Sequence, residues 1–194
     1  MPPSQRTRIK ICGLTREADV EAAVAAGADA VGFVLYAKSV RGIAVERAAE
    51  LARGLPPFIT PVGLFVNADP TLVERAVAAM PTLLLQFHGD ETPAECRLAA
   101  RPYLRAARMA PGLDLLDFAR QFADAQALLL DAHVDGFGGG GKVFDWSLVP
   151  RDVPRPLVLS GGLHAANVVA GILQGKSTRV VSWVSALMRL PSFL

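Results

Sequence analysis

Short apolar runs recur along the chain, and stretches rich in Ala, Leu and Arg alternate with them. The runs predict strands near Arg8–Ile11, Ala30–Val34, Pro61–Phe65, Leu83–Gln86, Leu104–Met109, Leu128–Asp131, Leu157–Ser160 and Arg179–Trp183. Within Asp19–Ala26 and Val45–Arg53 the apolar residues fall three and four apart, the spacing of a helix face. Asp69-Pro70 and Thr92-Pro93 each offer a cap followed by proline at the first turn, so each predicts a helix start. Further helices are predicted near Leu113–Phe122 and Ala166–Leu173.

The predicted strands are near-continuous apolar runs rather than alternating ones, as in parallel strands buried on both faces. Eight of them, each trailed by a helix or a loop in its place, imply an α/β fold with a parallel sheet. An open doubly wound sheet is the rival. Eight such units in 194 residues fit a compact, closed (β/α)8 TIM barrel better. No linker or low-complexity segment divides the chain, so residues 1–194 are expected to form one small barrel domain.

Composition narrows the function classes. The chain is 52% hydrophobic and 20% charged with a net charge of +2, and no basic stripe argues for nucleic acid. No run approaches the ~18 apolar residues of a membrane span. The N-terminal MPPSQRTR lacks the apolar core of a secretion signal. Cys12 and Cys96 form neither a disulfide framework nor a CxxC pair, which suits a reducing cytoplasm. The three histidines, His88, His133 and His164, lack metal-ligand spacing, so no metal site is expected.

In a barrel of this kind the chemistry sits at the C-terminal strand ends and in the loops that follow. Polar residues gather at those positions: Cys12, Ser39 and Arg41, Asn67, Gln86 and His88, Arg108, Asp131, and Ser160 with Gly161 and Gly162. Asp131 closes the apolar run ALLL; it is either a turn former or a general acid. Cys12 before Gly13 is either a small core residue or a reactive thiol. LVLSGGL, Leu157 to Leu163, runs a strand into paired glycines and a helix start, a backbone suited to phosphate. The run Gly138–Gly141 reads as a mobile cover over the site.

The motifs KICGLT, GADAVGFVLYAKSVR, PVGLFVN, LLQFHGDE, LLLDAHVDGFGGGGKVFDW and LVLSGGLHAANV, in that order over about residues 8–168, resemble the phosphoribosylanthranilate isomerase family of tryptophan biosynthesis. The resemblance implies a small (β/α)8 barrel that performs an Amadori rearrangement of a phosphosugar without metal or cofactor. It implies Cys12 as general base, Asp131 as general acid, and Arg41, His88 and Arg108 as substrate-binding residues. It also implies that Gly161 and Gly162 form half of a phosphate site, in a cytoplasmic enzyme that is a monomer or homodimer. Cys96, on a predicted helix, is assigned a structural place. Indole-glycerol-phosphate synthase and the aminoaldose isomerase of histidine synthesis fit worse, because Cys12 with Asp131 matches neither catalytic set.

The resemblance stops near Val168. The family's DVSSGVE-like loop, which carries the other half of the phosphate site, has no counterpart in RVVSWVSALMRLPSFL, Arg179 to Leu194. The divergent tail, about residues 175–194, predicts an atypical or incomplete eighth βα unit, a barrel loosely closed at that edge and an exposed apolar patch. Ser182 and Ser185 offer side-chain hydrogen bonds to phosphate in place of that loop. The alternative reading is a catalytically impaired or inactive remnant of the enzyme.

Overall fold

The computed structural model describes residues 6–132, 144–174 and 178–184. Eight parallel strands close into one barrel in sequence order: β1 (Arg8–Cys12), β2 (Ala30–Val34), β3 (Thr60–Phe65), β4 (Leu84–Phe87), β5 (Tyr103–Met109), β6 (Ala127–Ala132), β7 (Leu157–Leu159) and β8 (Thr178–Val184). Helices fill most crossovers: α1 (Glu17–Ala25), α2 (Val45–Arg53), α3 (Pro70–Ala79), α4 (Pro93–Arg97), α5 (Leu115–Gln121) and α6 (Val168–Gln174). Between β6 and β7 the described chain forms a single 3-10 turn, Trp146–Leu148.

Two helix starts are built as their sequence predicts. Asp69 accepts from the Thr71 backbone N–H ahead of Pro70. At α4, Thr92 and Glu95 satisfy each other's backbone N–H groups in a capping box. α1 begins two residues before the expected Asp19, at Glu17, and Arg16 grips Asp19 at 2.8 Å.

The expected loose edge at strand eight is corrected. β8 pairs with β1 over five positions, from Arg8↔Val180 to Cys12↔Val184, and with β7 on its other side. One register shift, between Leu157 and Val158, interrupts the second ladder. Ladder bonds use backbone groups alone, so TRVVSWV closes the barrel without the family's motif. His133, the glycine run 138–141, Ser185 and the apolar tail after residue 184 lie outside the described residues.

Successive strand residues face opposite sides, and this period of two sorts the core. Outward residues such as Phe33, Phe65, Leu85, Leu128 and Leu130 pack under the helices. Val62, Leu104, Ala106, Ala127, Leu129 and Val158 form a second apolar cluster, the plug inside the barrel. Along the inward rows of β5 and β6 the plug gives way to a polar residue at the C-terminal end. Leu104 and Ala106 lead to Arg108, and Ala127 and Leu129 lead to Asp131.

One charged pair lies within the outer layer. Arg105 on β5 is buried, 3.4 Å from the Glu91 carboxylate, and donates to the carbonyls of Phe87, Gly89 and Glu91. Its guanidinium stacks 4.8 Å from the centre of the Phe122 ring, and burial lowers its pKa. Glu91 in turn accepts from the backbone N–H groups of Asn67 and Gly89. Together they fix the loop that follows β4. Removing one partner leaves the other charge buried without compensation, so Arg105→Met is expected to lower stability by ~3–5 kcal/mol. A urea unfolding midpoint measured against the unaltered chain checks this.

Candidate active site

The polar ends of the inward rows meet at one rim. On β1, Lys10 and Cys12 both face inward and are buried. Gly32, opposite Cys12 on β2, makes room for them. A methyl group on Gly32 would lie 2.6 Å from Cys12 Sγ and 3.0 Å from Lys10 Nζ. An ammonium and a sulfur therefore share one small space, close enough for direct electrostatic influence.

Arg41 lies in the bend Tyr36–Gly42, where its backbone N–H donates to Ser39 Oγ at 3.2 Å. The bend turns the guanidinium back over Gly13, whose added methyl group would meet Arg41 Nη1 at 2.7 Å. Gly13 stands at φ +85°, and this conformation together with the close approach of Arg41 requires glycine. Arg41 thus lies beside the end of β1, next to Cys12.

Asp131 ends the inward row of β6, 5% exposed. His88 Nε2 lies 2.9 Å from its Oδ2, and Oδ1 accepts from the Ala132 backbone N–H. Gln86, two residues before His88 on the same inward row, brings Nε2 to 3.1 Å from His88 Nδ1. Both ring nitrogens of His88 are therefore engaged in a buried chain, Gln86–His88–Asp131. Arg108, whose register partner is Asp131, pairs with Asp90 at the rim.

The turn after β7 closes against the same carboxylate. Gly161 and Gly162 have φ values of +76° and +60°. A methyl group on Gly161 would lie 2.7 Å from Asp131 Oδ1 and 2.6 Å from the Ala132 nitrogen, so no side chain fits. Asn167 holds the turn, donating to the Gly162 carbonyl and accepting from the His164 N–H. Cys12 and Asp131 stand on strands separated by β7 and β8 round the barrel.

The structure thus groups Cys12, Arg41 and Gly13 on one side of the rim, and Asp131, His88 and Gly161 on another. Lys10, Arg105 and Glu91 are absent from the sequence-based site. Lys10 and Arg105 are charged residues within strands, and only the alternation of facing marks Lys10 as inward. Among the described residues, no group of three or more His, Cys, Asp or Glu could hold a metal ion, and no helix is long and apolar enough to cross a membrane. A cavity of about 210 Å³ between α3 and α4 lies outside the barrel, and of the polar strand-end residues picked out in the sequence it is lined by Asn67 alone.

Comparison with known proteins finds similar chains over most of the sequence. A family model described as N-(5'phosphoribosyl)anthranilate (PRA) isomerase matches residues 9–184, so the match runs through β8. N-(5'-phosphoribosyl)anthranilate isomerase of Methylibium petroleiphilum is 73% identical over 169 residues, covering 87% of this chain and 79% of the relative. The crystal structure of phosphoribosyl anthranilate isomerase from Thermotoga maritima superposes with a TM-score of 0.83 at 37% identity, covering 95% of this chain and 91% of that one. A second solved structure, the isomerase in complex with reduced 1-(o-carboxyphenylamino)-1-deoxyribulose 5-phosphate, gives a TM-score of 0.78 at 34% identity, covering 95% and 90%.

The two thiols differ in setting. Cys96, on α4, is fully buried, and burial pushes its pKa up to about 12. Cys12 is 3% exposed at the rim against 0% for Cys96, so iodoacetamide is expected to alkylate Cys12 slowly in the folded protein and Cys96 only after unfolding. Peptide mass spectrometry of native and urea-treated samples checks the order.

Proposed function

The chain belongs to the N-(5'-phosphoribosyl)anthranilate isomerase family, and on that premise we propose how its own residues carry out the isomerisation. The activity is that of an aldose–ketose isomerase of tryptophan biosynthesis acting on a phosphosugar. The observation that carries the assignment of roles is the placing of Cys12 and Asp131 at the inward ends of two separate strands. Both are buried above the same apolar plug.

Asp131 is the general acid. It gives a proton to the furanose ring oxygen as the bond from that oxygen to C1′ breaks, and the anthranilate nitrogen lone pair forms the iminium ion. Cys12, as thiolate, is the general base. It takes the C2′ proton, and that electron pair neutralises the iminium to give an enolamine. C1′ then gains a proton and the 2′ hydroxyl loses one, which yields the ketone and restores the enzyme's starting protonation. The substrate's own nitrogen is the electron sink. Lys10 Nζ and Cys12 Sγ face the same gap left by Gly32.

Arg41, next to Cys12, is assigned to the substrate near the reacting carbons, and Arg108, at the rim with Asp90, to its outer part. His88 is assigned to the substrate side through Asp131, to which its Nε2 is bonded. The Gly161–Gly162 turn, with its positive φ values, is assigned to the phosphate. The inactive-remnant alternative is not favoured, because the family match and the closed ladder both reach residue 184. The enzyme is placed in the cytoplasm as a monomer or a homodimer.

Loss of substrate fluorescence with freshly prepared phosphoribosylanthranilate tests the assignment. Cys12→Ala and Asp131→Asn are each expected to lower turnover by ~10²–10⁴-fold, the range for loss of a general acid or base, in proteins that keep the wild-type circular dichroism. Full turnover in either variant would overturn the role given to that residue.

A further inference from the structure

Gln86 has no part in the reaction steps above, yet it sits at a decisive point of the buried chain. It is 1% exposed, on the same inward row as His88. Its Nε2 lies 3.1 Å from His88 Nδ1, while its Oε1 is buried with no hydrogen-bond partner among the described residues. Each unpaired buried acceptor costs stability, so an amide oxygen kept there calls for a reason.

The reason lies in the direction of the bonds. An amide nitrogen can only donate, so His88 Nδ1 accepts, and a neutral ring then carries its hydrogen on Nε2. Nε2–H in turn donates to Asp131 Oδ2, 2.9 Å away, an oxygen that accepts both as the carbonyl of the acid and as part of the carboxylate. The amide nitrogen thus fixes the ring hydrogen on the side of the acid, and the unpaired Oε1 is what that orientation leaves behind.

We infer that Gln86 is a positioning residue for the general acid: its amide nitrogen selects the tautomer of His88 that points Nε2–H at the Asp131 carboxyl and so holds the acid in place.

The inference rests on Asp131 being the acid, and its test keeps the two ideas apart. The chain has three histidines, so nitrogen-15 labelling of histidine gives a short spectrum in which His133→Gln and His164→Gln identify the His88 signals. In the free protein at neutral pH, His88 is expected to show a protonated Nε2 and a bare Nδ1. Gln86→Met, close in size and without the amide, is expected to replace this with a mixture of tautomers. Gln86→Glu, an acceptor only, is expected to pin a proton on Nδ1, and it carries the test alone if Gln86→Met does not fold. Loss of a group that sets a histidine tautomer is expected to lower kcat by ~10–100-fold, with KM changed less than ~2-fold.

A His88 spectrum unchanged in both variants overturns the inference, whatever the activity. So does unchanged kcat in both. Tautomer changes in a wild-type chain that fails to turn over phosphoribosylanthranilate would support the placement of Gln86 and overturn the catalytic reading instead.

Discussion

A carboxyl group at the end of an apolar strand cannot be buried unless something bonds it, and the site is arranged around that requirement. Asp131 follows Ala127 to Leu130 on β6, and its side chain is almost entirely enclosed. His88 supplies the bond from β4, two strands away, and β5 between them carries Arg108 in register with Asp131. Gly161 has no side chain because Asp131 Oδ1 occupies the space where one would stand. The turn proposed to hold phosphate and the acid proposed to open the sugar are thus one packing unit.

The other half of the site follows the same logic with the opposite charge. Lys10 is buried in the barrel, and Gly32 leaves the gap in which its ammonium and the Cys12 sulfur face one space. Glycine is required at Gly13 for a related reason, since Arg41 folds over it. In both halves a missing side chain on one residue makes room for a reactive side chain on its neighbour. Beneath them the apolar plug of Val62, Leu104, Ala106, Leu129 and Val158 keeps the barrel floor dry.

The strands were legible because parallel strands buried on both faces are apolar runs, and all eight stand near their predicted places. The rim residues were legible for the same reason: a polar residue closing an apolar run is conspicuous. Partnerships were not legible. Nothing local to LLQFHGDE says that His88 reaches Asp131, because that bond spans 43 positions and depends on closure. Nor does anything local pair Arg105 with Glu91, which the fold brings to 3.4 Å in the outer layer. The tail misled in the other direction. Its family motif is missing, but a strand needs only β-forming residues and a neighbouring ladder, and Thr178–Val184 has both.

The central claim is that Cys12 and Asp131 act on one substrate from two sides, with its phosphate at the Gly161–Gly162 turn. A crystal structure of this chain with reduced 1-(o-carboxyphenylamino)-1-deoxyribulose 5-phosphate tests it most directly. The account predicts phosphate oxygens bonded to the backbone N–H groups of that turn, Cys12 Sγ against the C2′ carbon, and the Asp131 carboxyl within hydrogen-bond reach of the oxygen at C4′. Phosphate bound elsewhere, or a ligand that touches only one of the two side chains, would contradict it.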